Sequence, residues 1–309
     1  MRILIAYDGS ECAEAALDDL TRAGLPHRAE TLVFGVVELW LPPPHPESYL
    51  LLPDPSQEPV VEEANKLALR AVERLKKNFP EWTVNAKVER GSPASEILNF
   101  AEDWQPDLIV VGSHGRSVVG RLVLGSVSQK VVTEARCSVR VARGKVDVEP
   151  AAVRLIVGVD GGPGSENALT AIASREWPKG SAVQVVGVHE PLKPSIVGKL
   201  VPVVSKWLDE TNTEETSWIT TEMDKASERL RATGLSVTSI LLEGDPRSAL
   251  VETAREWDAD SIFVGATGHL GRARSFLLGS VSAAVTARAH CSVEVVRTSV
   301  RDEPVNAMK

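Results

Sequence analysis

Cysteine is scarce in this 309-residue chain: Cys12, Cys137 and Cys291 stand apart and are odd in number. Neither a disulfide framework nor a CxxC zinc or redox site can be assembled from such neighbours, and all three read as small buried apolar residues. Basic runs are also missing. With 34 Lys and Arg against 42 Asp and Glu the net charge is −8, which leaves nucleic acid without a cationic footprint. The seven tryptophans are scattered rather than interleaved with basic residues, so no platform for single-stranded nucleic acid is expected. The first apolar run, in MRILIAYDGS, stops at Asp8, too short for a signal core or for a membrane span of ~20 residues. The expectation is a cytoplasmic protein that touches neither membrane nor nucleic acid. Catalytic signatures are missing too: there is no GxxxxGK(S/T), no HExxH and no SGGxDS, and DGGPGS at Asp160 is a distant look-alike of the last. VGSHG lacks the first glycine of a nucleophile elbow. No residue stands out as a base for activating water, and no catalytic residue is assigned.

What the chain does have is itself, twice. RILIAYDGSECAEAAL (Arg2–Leu17) returns as RLIVGVDGGPGSENAL (Arg154–Leu169), VFGVVEL returns as VVGVHEP, and VERGSPASEIL as LLEGDPRSALV. PDLIVVGSHG then matches ADSIFVGATG, and LVLGSVSQKVVTEARCSVRVAR matches FLLGSVSAAVTARAHCSVEVVR, in the same order. A fixed internal repeat sets the fold before any local reading. Two domains are expected, 1–146 and 151–309, joined near the polar, Pro-containing GKVDVEPAA. Within each, short β-branched runs alternate with stretches of helical period, giving five strands and four helices. Strands such as LIVVG and LIVGV are apolar on both faces, which suits a parallel sheet covered by helices on both sides. The fold class is therefore α/β, doubly wound. Two proline-containing stretches, LWLPPPHPESYLLLPDPSQEP and EPLKPSIVGKLVPVV, read as variable surface loops.

In such sheets a ligand sits beyond the carboxyl ends of the strands where their order reverses. For an order 3-2-1-4-5 that point lies between the strand ending at Asp8 and the one ending at Gly112. Gly112 and Gly115 permit a close turn there, and Gly125-Ser126 opens a helix whose first N–H groups and dipole favour an anion. The hydroxyls of Ser126 and Ser128 are further donors. The stretch reads as a phosphate cradle, with His114 as a solvated loop residue and His189 and His290 as structural ones. Taken singly each glycine is an ordinary turn former and Asp8 or Asp160 a helix-capping carboxylate.

GSHG, nine residues, then GS resembles the G-x2-G-x9-G-S/T pattern of ATP-binding universal stress proteins, and the resemblance runs over the whole chain. It includes the Asp-Gly pair after strand one, the Gly-x-Pro after strand three and the ARCSV-type last strand. It implies the tandem form of a Rossmann-like domain. It also implies that Asp8 lies at the ribose and adenine end, that Val36 meets adenine through its backbone, and that Gly112, Gly115, Gly125, Ser126 and Val127 line the phosphates. The equivalent second set is Asp160, Val188, Gly265, Gly268, Gly279, Ser280 and Val281. There ten residues, not nine, separate Gly268 from Gly279, so the two sites are expected to be unequal. The implied ligand is ATP or another adenine nucleotide, with Mg2+ or Mn2+ on the phosphates.

Three functions fit this reading: a nucleotide-dependent stress sensor or regulator with an unidentified protein partner, a slow ATPase or nucleotidyl-transferring enzyme, and a ligand-free scaffold. The intact first motif favours the sensor over the scaffold, and the missing base leaves weak hydrolysis at most. The apolar last strands SVRVAR and SVEVVR would be aggregation-prone as open edges. The resemblance implies that they pair into a pseudo-dimer within one chain, with a homodimer of chains left open. For the cradle, Gly115→Val places a branched side chain where backbone must meet phosphate oxygen, whereas Ser126→Ala removes one donor contributing ~1.5–3 kcal/mol. Calorimetric titration with ATP should show the larger affinity loss for Gly115→Val, in protein of unchanged circular dichroism.

Overall fold

Apolar runs that alternate with helices build five parallel strands in each of two successive units. The computed structural model describes residues 1–38, 58–114, 124–143, 152–192, 202–268 and 278–298, in two units: Met1–Val148 with Thr298–Lys309, and Glu149–Arg297. The first unit runs β1 (Arg2–Ala6), α1 (Glu11–Asp19), β2 (Glu30–Val37), α2 (Glu58–Asn78), β3 (Thr83–Arg90), α3 (Pro93–Trp104), β4 (Leu108–Gly112), α4 (Ser126–Glu134) and β5 (Ser138–Ala142). Its strand order is β3-β2-β1-β4-β5. All neighbours are parallel, with Ile5 opposite Val33 on one side and Val110 on the other. The expected reversal between β1 and β4 is therefore present.

The second unit runs β6 (Arg154–Val159), α5 (Pro163–Ala173), β7 (Ala182–His189), α6 (Pro202–Arg231), β8 (Ser236–Glu243), α7 (Pro246–Glu256), β9 (Ser261–Gly265), α8 (Ser280–Arg288) and β10 (Ser292–Val296). Its order, β8-β7-β6-β9-β10, repeats the first. One expectation shifts. The tails of both proline-containing stretches are not loop, because Glu58 and Pro59 open α2 and α6 begins at Pro202, and a missing N–H is no loss in the first helical turn. The rest of the second stretch, 193–201, and residues 39–57 lie outside the described residues.

Burial follows the periods. β1 buries Ile3, Leu4 and Ile5 completely, as a strand covered on both faces must. α2 buries Ala68, Ala71, Val72 and Leu75, the spacing that puts one helical stripe on the sheet. These residues meet Ile3, Ile5, Ala16 and Leu17 in one core. The second core gathers Leu155, Val157, Leu169, Ile172, Ile219, Met223 and Leu230.

Each core also holds a buried ion pair beside its last strand. Arg140 in β5 is fully buried and donates through Nε to Asp19 Oδ2 at 2.5 Å and through a terminal nitrogen to Asp19 Oδ1 at 3.0 Å. In the second unit the signs are exchanged: Glu294, at the matching place in β10, accepts two hydrogen bonds from Arg175, one at 2.9 Å. Removing one member takes the bidentate partner from a buried charge, which costs about 3–5 kcal/mol. Asp19→Ala should therefore destabilise the first unit by about that much in urea titrations, whereas Glu81→Ala, which breaks the exposed pair with Arg28, should change stability by less than about 0.5 kcal/mol.

Candidate functional site

β1 delivers Asp8 to the reversal point. Gly9, with φ of 73°, turns the chain there into a conformation that a side chain would disfavour. Asp8 then accepts the Ser10 N–H through Oδ1 at 3.0 Å, and Ser10 caps α1 by accepting the Ala13 N–H at 3.2 Å. Asp8 itself remains exposed, with carboxylate capacity left for a hydroxyl. Asp160 repeats this geometry by accepting the Gly162 N–H at 3.0 Å, after Gly161 with φ of 65°.

β4 ends on the first turn of α1. A Cβ at Gly112 would lie 2.9 Å from both the carbonyl carbon and the oxygen of Cys12, so only glycine lets the two backbones pass. The next residues are held from both sides. Ser10 Oγ donates to the His114 carbonyl at 3.5 Å, and Ser113 Oγ to Cys12 Sγ at 3.7 Å. The Gly125 N–H donates to the Ser113 carbonyl at 2.9 Å, and Ser128 Oγ to the Gly112 carbonyl at 2.7 Å. Ser128 therefore ties α4 to the strand end, and its hydroxyl hydrogen goes to protein. Gly125 is the N-cap of α4, so the N–H groups of Ser126, Val127 and Ser128 lack helical acceptors by position. Two helix N-termini, those of α1 and α4, thus flank one strand end. Val36 lies near the carboxyl end of the adjacent β2, half-buried. The structure brings Asp8, Gly112, Gly125, Ser126 and Val127 to the same end of the sheet as Val36; Gly115 lies outside the described residues.

The second unit places Asp160, Val188, Gly265, Gly279, Ser280 and Val281 in the matching positions, with α8 tied to Gly265 by Ser282 Oγ at 2.5 Å. Gly268 is close to Asp160, whose Oδ2 would stand 3.0 Å from a Cβ there. The chain of polar side chains is gone, since Gly164, Ala266 and Thr267 replace Cys12, Ser113 and His114.

Two features escape a sequence reading. Cys12 is only half-buried and bonds to the loop instead of filling the core. His114 is not solvated: it is 7 % exposed, and Nδ1 contacts Ser113 Oγ at 3.1 Å. Nε2 has no hydrogen-bond partner among the described residues. The only hint in the sequence is the GSHG context, which does not reveal depth. Two cavities among the described residues lie elsewhere, one between the C-terminal ends of α3 and α4 and one between β8 and α7.

Burial first, and the Arg143 guanidinium second, push the His114 imidazole below its ordinary 6.5. The unfolded chain then binds the proton that the folded one resists, so the first unit loses stability as pH falls below that value. His114→Asn should flatten this dependence between about pH 7 and pH 5. Denaturant midpoints and the ring resonances of the wild type provide the measurement; a ring titrating above 6.5 contradicts the assignment.

The universal stress protein family model matches residues 1–143 and again 153–297. A universal stress protein of Mycobacterium tuberculosis (strain H37Rv) is 28% identical over 303 residues, covering 96% of this chain and 97% of that protein. A Thermus aquaticus universal stress protein is 37% identical over 145 residues, 46% of this chain and 97% of its own. Among solved structures, a universal stress protein from Archaeoglobus fulgidus shares the fold with a TM-score of 0.63 at 20% identity, covering 96% of this chain and 98% of that one. With its family domain matched on both repeats, the chain belongs to the universal stress protein family.

Proposed function

We propose that the first unit binds an adenine nucleotide, ATP foremost, at the carboxyl ends of β1, β2 and β4, and that the chain acts as a nucleotide-dependent sensor or regulator. The observation that carries this is the convergence of the α1 and α4 N-termini on the Gly112–His114 segment, at the point where strand order reverses. Backbone N–H groups at such termini suit the anionic oxygens of phosphate. Asp8, exposed at the edge of the same strand end, is suited to a ribose hydroxyl. A Mg2+ or Mn2+ ion would travel with the nucleotide on its phosphates. The described site offers phosphate-binding groups, and its imidazole, His114, is buried away from solvent with Nδ1 in contact with Ser113 Oγ. That supports binding over rapid hydrolysis. The pairing of β5 with β10 into a pseudo-dimer within the chain, in the cytoplasm, belongs to the same proposal.

Mass spectrometry of small molecules released from the purified protein tests the ligand class directly; an adenine nucleotide is the expected finding. Asp8→Ala should then weaken ATP by about 1–3 kcal/mol while leaving 2′,3′-dideoxy-ATP unaffected, since the lost hydrogen bond goes to ribose. Equal losses for both nucleotides would remove Asp8 from the ribose, and absence of any nucleotide binding would favour the scaffold.

A further inference from the structure

The two repeats differ on the helix that covers the second strand, α2 in the first unit and α6 in the second. Arg74 and Arg229 anchor the comparison: Arg74 reaches Glu14 and Asp18 on α1, and Arg229 reaches Glu166 at 3.3 Å and Thr170 at 2.9 Å on α5. The adjacent Leu75 and Leu230 are both fully buried. Counting back from these, Ala68 of α2 corresponds to Met223 of α6, Ala64 to Ile219, and Glu63 to Trp218. Small or exposed side chains in the first unit are thus large apolar ones in the second.

The glycines of the neighbouring strand and turn show what this does to the space. A Cβ at Gly187 in β7 would lie 2.3 Å from Met223 Sδ and 2.8 Å from Ile219 Cγ2. At the matching Gly35 in β2 the three nearest atoms belong to Val88 and to the Tyr7 carbonyl, and none to α2. A Cβ at Gly161, beside Asp160, would lie 2.4 Å from Trp218 Cη2 and 3.0 Å from Glu222 Cγ. The edge of the indole therefore rests on the turn that carries Asp160, and Ile219 and Met223 below it fill the space over Gly187, next to Val188 in the strand. α6 is also fastened there: the Asn212 side chain accepts the Leu192 N–H at 2.9 Å and donates to the Leu192 carbonyl at 3.2 Å. The chain leaving β7 is pinned to the helix.

We propose that α6 closes the base-binding side of the second unit with Trp218, Ile219 and Met223, so that one chain takes one adenine nucleotide and Trp218 sets that stoichiometry. This rests on the reading of the first unit as a nucleotide site. The test is calorimetric titration of the full chain with ATP and Mg2+, comparing wild type, Trp218→Glu, and the triple variant Trp218→Glu, Ile219→Ala, Met223→Ala. The wild type should bind one ATP and the opened proteins two. Trp218 is 38% exposed, so the single variant should fold even where the triple one does not. The reciprocal Glu63→Trp, at an exposed position of α2, should weaken the first site about tenfold or more, equivalent to about 1.4 kcal/mol.

Two equal sites in the wild type, an unchanged single site in a folded opened variant, or unchanged affinity in folded Glu63→Trp overturns the proposal and leaves the first-unit reading standing. A site lost on removing Trp218 would make the indole a stacking platform, which also overturns it. No binding in any protein overturns both readings, and binding only in the opened variants overturns the one-nucleotide stoichiometry together with the first-unit reading, even though Trp218 would still close the second unit.

Discussion

The end of β4 must pass the first turn of α1 backbone against backbone, and the geometry of the site hangs on that crossing. With a Cβ at Gly112 the strand would strike the Cys12 carbonyl group at 2.9 Å, which real side chains do not approach. Pushing the two apart would open the Ser10 contact to His114 and the Ser113 contact to Cys12, and would carry α4 away through Ser128 and Gly125. The same crossing in the second unit is tighter. A Cβ at Gly265 would lie 2.3 Å from the Gly164 carbonyl carbon, so glycine is needed on both sides. The two units keep one backbone arrangement with different side-chain allowances, and that is where they can diverge without losing the fold.

This separation explains what was legible in the sequence. Strands such as LIVVG stand out because both faces are buried, and α2 stands out because Ala68, Ala71, Val72 and Leu75 form one stripe. The strand ends announce themselves through Asp8-Gly9 and Gly112, since positive φ and close approach admit few residues. Long-range polar chemistry is less visible. Arg140 lies in the middle of an apolar strand, and its partner Asp19 is 121 residues away, with no local pattern to connect them. Its counterpart carries the opposite charge, and the Arg175 that serves Glu294 aligns with Ala23, four positions past Asp19 in the repeat. The depth of His114 is hidden for the same reason, because it depends on Ser113, Arg143 and the turn of α1 together. Pro202 misleads in the other direction: proline looks like a loop residue until it occupies the first turn of a helix.

The buried pairs show how a shared frame tolerates exchange. A charged group inside the core is acceptable when a bidentate partner meets it, and the sign of the strand member is then immaterial to its own unit. Arg175 also sets its guanidinium 5.2 Å from the centroid of Phe263. Neither pair is obvious as a source of stability, since well-packed apolar residues of similar volume often do as well. Their effect is to fix α1 against β5, and the turn following α5 against β10, in a single register. The helix N-termini at the other end of those same elements are thereby fixed as well.

Rigid placement of backbone donors suits retention of a bound anion more than its turnover. N–H groups of α4 would grip phosphate oxygens in the resting nucleotide about as well as in any later state, and interactions common to both do not lower a barrier. Acceleration would need a group that changes its interaction as a bond breaks, such as a base within reach of water. The imidazole nearest the loop is buried away from solvent and in contact with Ser113. Under the proposed function, a nucleotide held in this way would change the protein by being present, through the segment that α1 and α4 clamp between them. Occupancy would then be sensed at the carboxyl ends of β1 and β4, where both helices begin, while the buried ion pair beside β5 holds the remainder of the unit still.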